Sequence, residues 1–348
     1  MKTVHGAWAA LLAVGVGFAT PAVAQNAPAG QGRPAAQQAV QMPPALQAAV
    51  LTGNPQAVQQ AIATLSGGNP VQAGTLAALV VRAAEAMLAT NPQGAVQIAT
   101  AAVETVKANP VQQSAPQQTE TVITTAARIF IAPPAQRVAP EAVAQLAAST
   151  MQASSSTGNA ALQADVAAQA VGAAEKLLAA APAAAVQIAA AAVEAVKAAP
   201  VLQNAPQQSM QVVTTAARII VQPEAQRVAP QAVAAIAAGA VQVVSSPAVY
   251  QSAPASAITV MANAYAAATS ASVTAAVPSA ATSVRTELIQ AAQTQALNTA
   301  NPTNATSINT ILSGVNPDTG QPLSVTGAPP ANTPPPALEN PNRSGSPV

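Results

Sequence analysis

Four arginines and two Glu–Lys pairs are the side chains here best suited to recognising another molecule, because each occurs twice, ninety residues apart. Arg128 and Arg137 recur as Arg218 and Arg227, and Glu104 with Lys107 recurs as Glu194 with Lys197. A guanidinium presents a planar fork of donors that fits a carboxylate, so a repeated set could hold an acidic protein segment or a carboxylate-bearing glycan. Glu and Lys three apart on a helix form an ion pair worth roughly a few tenths of a kcal/mol. Repeated on equivalent helices, such pairs would make a ladder of matched charges on which an extended partner could dock.

Each set also has a purely structural reading. Arg128 and Arg218 fall near the predicted C-terminal ends of helices, where a cation complements the helix dipole and hydrogen-bonds loop carbonyls. Arg137 and Arg227 stand just ahead of Pro140 and Pro230 and could brace a loop in the same way. The nearby acids are not partners common to both copies, since Glu120 becomes Met210 and Glu141 becomes Gln231.

Composition narrows the chemistry further. Lys2, an apolar run from Ala7 to Thr20 and the small residues Ala22-Val23-Ala24 read as a secretory signal, with cleavage expected between Ala24 and Gln25. His5 and Trp8 lie inside it and the chain has no cysteine, so the mature protein lacks histidine, tryptophan and cysteine altogether. That removes thiolate nucleophiles, imidazole bases and ordinary zinc sites, and we expect neither an enzyme nor a bound metal or cofactor. A pair of carboxylates would suffice for a glycosidase, but aromatic sugar platforms are scarce: Phe130, Tyr250 and Tyr265 are the mature chain's only aromatics. Both tyrosines are expected to pack with the hydroxyl at the surface.

The eleven basic and eleven acidic residues left after the signal form no basic run, so nucleic acid is not an expected partner. Near-zero net charge does little to hold copies apart and favours association. The chemistry expected is therefore recognition, and the protein is expected in the periplasm or outside the cell, without a transmembrane span.

Proline placement shows how these residues are positioned. Pro92, Pro116 and Pro140 are 24 residues apart, and so are Pro182, Pro206, Pro230, Pro254, Pro278 and Pro302. Proline is favoured at the first position of a helix, where its missing N–H leaves nothing unpaired, and is harmful inside one. Asn precedes proline at Asn54, Asn69, Asn91, Asn109 and Asn301, where its side chain can cap the next turn. Each spacing predicts one helix of about 16 residues and a loop of about eight. Val96, Ala99, Val103 and Val106 share one face of the helix beginning at Pro92, and Gln97, Thr100, Glu104 and Lys107 form a thin polar edge opposite.

Residues 92–144 align without a gap on 182–234, with 37 of 53 positions identical, and weaker similarity extends over 71–156 and 161–246. The expected organisation is a signal peptide at 1–24, a flexible linker at 25–43, an all-helical repeat domain at 44–314 and a disordered proline-rich tail at 315–348. A two-helix unit of 48 residues is similar in size to the helical pairs of HEAT or armadillo arrays. The predicted fold is therefore all-α, with tandem hairpins stacked as an α-solenoid; the alternative is a duplicated four-helix bundle of 90-residue units. In function this predicts a secreted, non-enzymatic structural or scaffold protein of the bacterial envelope or exterior, associating with itself through apolar flanks. The alternative is a periplasmic adaptor that binds an envelope protein or acidic glycan.

Overall fold

The computed structural model describes residues 41–323. The expected signal peptide, its cleavage position at Ala24–Gln25 and the residues from 324 onward lie outside them. Among the described residues there are twenty helices and no strand beyond an isolated bridge between Val315 and Pro322. The first part of the chain forms α1 (Pro44–Leu51), α2 (Pro55–Ser66), α3 (Pro70–Met87), α4 (Pro92–Val106), α5 (Asn109–Ser114), α6 (Pro116–Ile131), α7 (Pro133–Val138) and α8 (Pro140–Ser156). The same succession then returns ninety residues on as α9 (Ala160–Leu177), α10 (Pro182–Val196), α11 (Ala199–Asn204), α12 (Pro206–Ile220), α13 (Pro223–Val228) and α14 (Pro230–Val244). The remainder is α15 (Pro247–Ser252), α16 (Pro254–Thr269), α17 (Ala271–Ala276), α18 (Ala280–Gln293), α19 (Gln295–Ala300) and α20 (Asn304–Leu312).

The stretches expected as eight-residue loops differ from that reading. Each holds a helix of six residues: α5, α7, α11, α13, α15, α17 and α19. One and a half turns are too short to show a hydrophobic period, so sequence patterning passes them over. Their register is nevertheless constant. The third residue is buried in all seven (Val111, Ala135, Val201, Ala225, Val249, Val273 and Leu297), and the fifth is exposed in all seven.

The long helices pack mainly on near neighbours in the chain. One series of contacts runs α2 to α4, α8, α10, α14 and α18, and a second runs α3 to α6, α9, α12, α16 and α20. Successive helices of the two series also pack on each other, α3 on α4, α9 on α10 and α14 on α16 among them. The valine, isoleucine and alanine side chains lie between them in one continuous core. Close approach has a local cause at Gly239 of α14, where an added Cβ would stand 2.9 Å from Val193 Cγ1 of α10.

Two kinds of connection join the long helices. Most carry a short helix, and there an alanine such as Ala115, Ala139, Ala205, Ala229 or Ala253 precedes the proline without any side-chain cap. The tight connections use asparagine instead, with Asn54, Asn69 and Asn91 accepting hydrogen bonds from backbone N–H groups of the next turn. Asn159 caps α9 in the same way after the left-handed Gly158, although no proline follows it. Asn109 does not cap, because it is itself the first residue of α5. Asn301 accepts from Thr303 N–H at the turn after α19. Asn69 Oδ1 takes the N–H groups of Val71 and Gln72 at 3.0 and 3.2 Å. Asn69→Ala is therefore expected to lower stability by about 1 kcal/mol, and Asn109→Ala to leave it within about 0.5 kcal/mol, differences that paired thermal melts would resolve.

The ordered chain runs past the boundary expected at residue 314. Leu323 N–H donates to Gly314 O at 2.8 Å, Asn316 N–H donates to Gln321 O at 2.8 Å, and Leu323 packs on the core. Residues 315–323 therefore close a turn against α20 and do not belong to a disordered tail.

Candidate functional site

Arg128 and Arg218 are engaged within the chain. Arg128, near the end of α6, donates from Nε to Glu85 Oε1 of α3 at 2.7 Å and from Nη2 to Glu85 Oε2 at 3.1 Å, and Nη2 also reaches Thr125 Oγ1. Ninety residues on, Arg218 of α12 meets Glu175 of α9 at 3.1 Å and Thr215 Oγ1 at 3.3 Å. Each pair ties together two neighbouring long helices. The partner acids, missed by sequence reasoning, are themselves ninety residues apart and lie within the weaker repeat, so the duplication held the signal.

The hydrogen bond from Arg128 holds the Glu85 carboxyl below its usual range and, by the same contact, raises the guanidinium. A depressed carboxyl stabilises the fold fully above the unfolded value, and that contribution fades as pH falls through the folded value. With Arg128 55% and Glu85 35% exposed, solvent limits the pair to at most about 1 kcal/mol. Arg128→Gln is accordingly expected to lower the melting temperature slightly at neutral pH. The difference from the parent should vanish in acid, which melts recorded across pH would check.

Arg137 and Arg227 do not brace the loops. Arg137 donates to Pro133 O and Arg227 to Glu224, each within its own short helix, and both are exposed. The bracing is done by the preceding residue. Gln136 Nε2 donates to Phe130 O at 3.1 Å and Gln226 Nε2 to Ile220 O at 2.9 Å, each buried and each satisfying a carbonyl at the end of the long helix before it. Asn298 of α19 does the same for Ala292 O of α18. Position four of the short helices thus faces inward, and Arg137-Val138 and Arg227-Val228 face out, Val138 with 56% and Val228 with 37% of its surface exposed.

Glu104 and Lys107 pair at 3.0 Å and Glu194 and Lys197 at 2.9 Å. They do not form an unbroken ladder, because α8 lies between α4 and α10 and offers Ser149, whose Oγ donates to Glu104 Oε1 at 2.8 Å. In the second copy that serine is Gly239, and Glu194 is 74% exposed against 36% for Glu104.

No known family, curated protein or solved structure matches this chain.

Tyr250 differs from expectation. It is fully buried, and its hydroxyl donates to Asn304 Oδ1 at 2.8 Å and accepts from Asn301 Nδ2 at 3.3 Å. Asn304 in turn donates to Asn298 Oδ1 and to Ala291 O. Burial pushes the phenol above its usual value, opposed by the bond from Asn301. This network joins α15 to α18, α19 and α20, and it is structural. The exposed surface towards both ends of the described chain mixes polar side chains with Leu51 of α1 and Ile289 of α18. α2 exposes Gln56, Gln59, Gln60 and Thr64, and α18 exposes Thr282, Arg285, Thr286 and Gln290. Among the described residues the exposed large apolar side chains are Leu51, Val71, Val138, Val228 and Ile289. No described helix is long and apolar enough to cross a membrane.

Proposed function

We propose that the chain is an exported, non-enzymatic scaffold, built as a two-row α-solenoid of HEAT or armadillo type, that associates with itself. The observation carrying this reading is the packing order, in which each long helix meets the next and the next but one, as stacked repeats do. The single continuous core that runs through both copies supports it over a duplicated bundle, whose units would each close a separate core. Export rests on the signal-like first residues.

The same surface narrows how association works. The five exposed large apolar side chains lie on five different helices, α1, α3, α7, α13 and α18. Association is therefore assigned to discrete sites. The outward Arg137-Val138 and Arg227-Val228 pairs favour a second reading, an adaptor that grips an acidic protein or glycan. Light scattering over a concentration series separates the two: a rising average mass is expected. A mass fixed at the monomer value into the millimolar range would refute self-association and leave the adaptor.

A further inference from the structure

The junction between α8 and α10 is open where its neighbours are closed. Between α4 and α8 the Ser149 hydroxyl bridges to Glu104, and between α10 and α14 Gly239 brings the two helices together. Between α8 and α10 there is instead a groove of about 320 Å³. In it the buried or half-buried Ala148, Met151 and Ala195 meet the exposed Gln152, Ser155 and Glu194. Ninety residues earlier, the equivalents of Ala148, Gln152 and Ser155 are Val58, Ile62 and Leu65 of α2, which pack in or against the core beside α4. Exchanging those branched side chains for a methyl, an amide and a hydroxyl leaves the later junction unfilled.

The same groove holds a carboxylate that is only half used. Glu104 engages Lys107 through both oxygens and also accepts from Ser149 at Oε1. Glu194 meets Lys197 through Oε2 alone, and among the described residues its Oε1 accepts no hydrogen bond. The Glu194 side chain is 74% exposed. An alanine-lined floor beside an unused acceptor fits a small branched apolar group that stands next to a cation.

The chain itself presents that combination on α7. Arg137 meets no carboxylate among the described residues and donates to Pro133 O, and the adjoining Val138 is 56% exposed. Arg227-Val228 on α13 has the same register, but Arg227 already holds Glu224 and Val228 is only 37% exposed. We propose that Arg137-Val138 of one copy docks in the groove between α8 and α10 of a second, with Val138 on the alanines and Arg137 on Glu194. A copy cannot serve itself. α7 leads into the first turn of α8, whereas Met151, Gln152 and Ser155 belong to its last turns, and α8 is 17 residues, about 25 Å, long. The Gln136 hydrogen bond and the packing of α7 on α4 and α8 hold the short helix at that distance. Each copy therefore offers one pair and one groove, a heterologous contact that can extend from copy to copy.

This docking rests on the self-association reading, and the two can fail separately. Sedimentation velocity compares the full chain with Arg137→Glu, with Glu194→Arg and with the variant carrying both. Both positions are exposed, and circular dichroism checks that each variant keeps the helix content of the parent. Either single reversal sets like charges against each other across the contact and is expected to weaken self-association at least about tenfold. The combination restores the pair in the opposite sense and is expected to bring association back to within about threefold of the parent. Unchanged association in both single variants overturns the docking and leaves self-association through another surface. Weakening that the combination does not reverse overturns the contact between Arg137 and Glu194. A parent chain that stays monomeric overturns both readings.

Discussion

Tyr250→Ala is expected to destabilise the C-terminal helices by about 3–5 kcal/mol, the usual range for emptying a buried aromatic site. Tyr250 is among the largest fully buried side chains, and its hydroxyl is the donor to Asn304 Oδ1, itself completely buried. Truncation therefore opens a cavity and strands an acceptor among α15, α18 and α20, on which the end of the chain depends. Tyr250→Phe isolates the second effect. It keeps the ring, deprives Asn304 of its donor and is expected to cost about 1–3 kcal/mol. Urea melts of the two variants beside the parent would separate packing from hydrogen bonding.

The double replacement Gln136→Ala with Gln226→Ala is expected to cost about 2–6 kcal/mol, close to the sum of its parts. Each glutamine supplies the donor to a buried carbonyl, Phe130 O or Ile220 O, and losing it leaves that acceptor unpaired at about 1–3 kcal/mol. The two sites share no partner, so their effects should add. Arg137→Ala with Arg227→Ala, one residue further along, is the matched control and should stay within about 0.5 kcal/mol per site, since both guanidinium groups are exposed. The two double variants, compared by denaturant melts, test whether the glutamines or the arginines hold the short helices in place.

That contrast shows what the sequence made legible. Helix starts were readable because proline is physically restricted at every helical position but the first turn, and Pro92, Pro116 and Pro140 all begin helices. The buried face of α4 was readable from spacing, and Val96, Ala99, Val103 and Val106 are all fully buried. The six-residue helices were not readable, since they are shorter than two turns. Their inward glutamines were passed over for the adjacent arginines because a charged side chain draws attention that a neutral amide does not. Recurrence alone could not rank them, as Gln136 and Arg137 recur equally.

Long-range pairs were legible only where duplication wrote them twice. Arg128 and Glu85 are 43 residues apart, as are Arg218 and Glu175, so a search for acids conserved between the two copies would have found both. Tyr250 has no such echo, because its counterpart in the α5 register is Gln112 and in α11 is Leu202. Its partners lie 51 and 54 residues on, and only the fold brings them to it. The expected surface tyrosine is buried because the C-terminal part of the chain supplies Asn301 and Asn304 to meet its hydroxyl.

The central claim is that the chain is stabilised by nearest neighbours in two rows of helices. In such an array a local defect should be felt locally, whereas a single closed core unfolds as one unit. Hydrogen exchange of Tyr250→Ala against the parent, read segment by segment, tests this most directly. The account predicts faster exchange in α15, α18 and α20 and unchanged protection in α2, α3 and α4. Equal acceleration from α2 to α20 would contradict it.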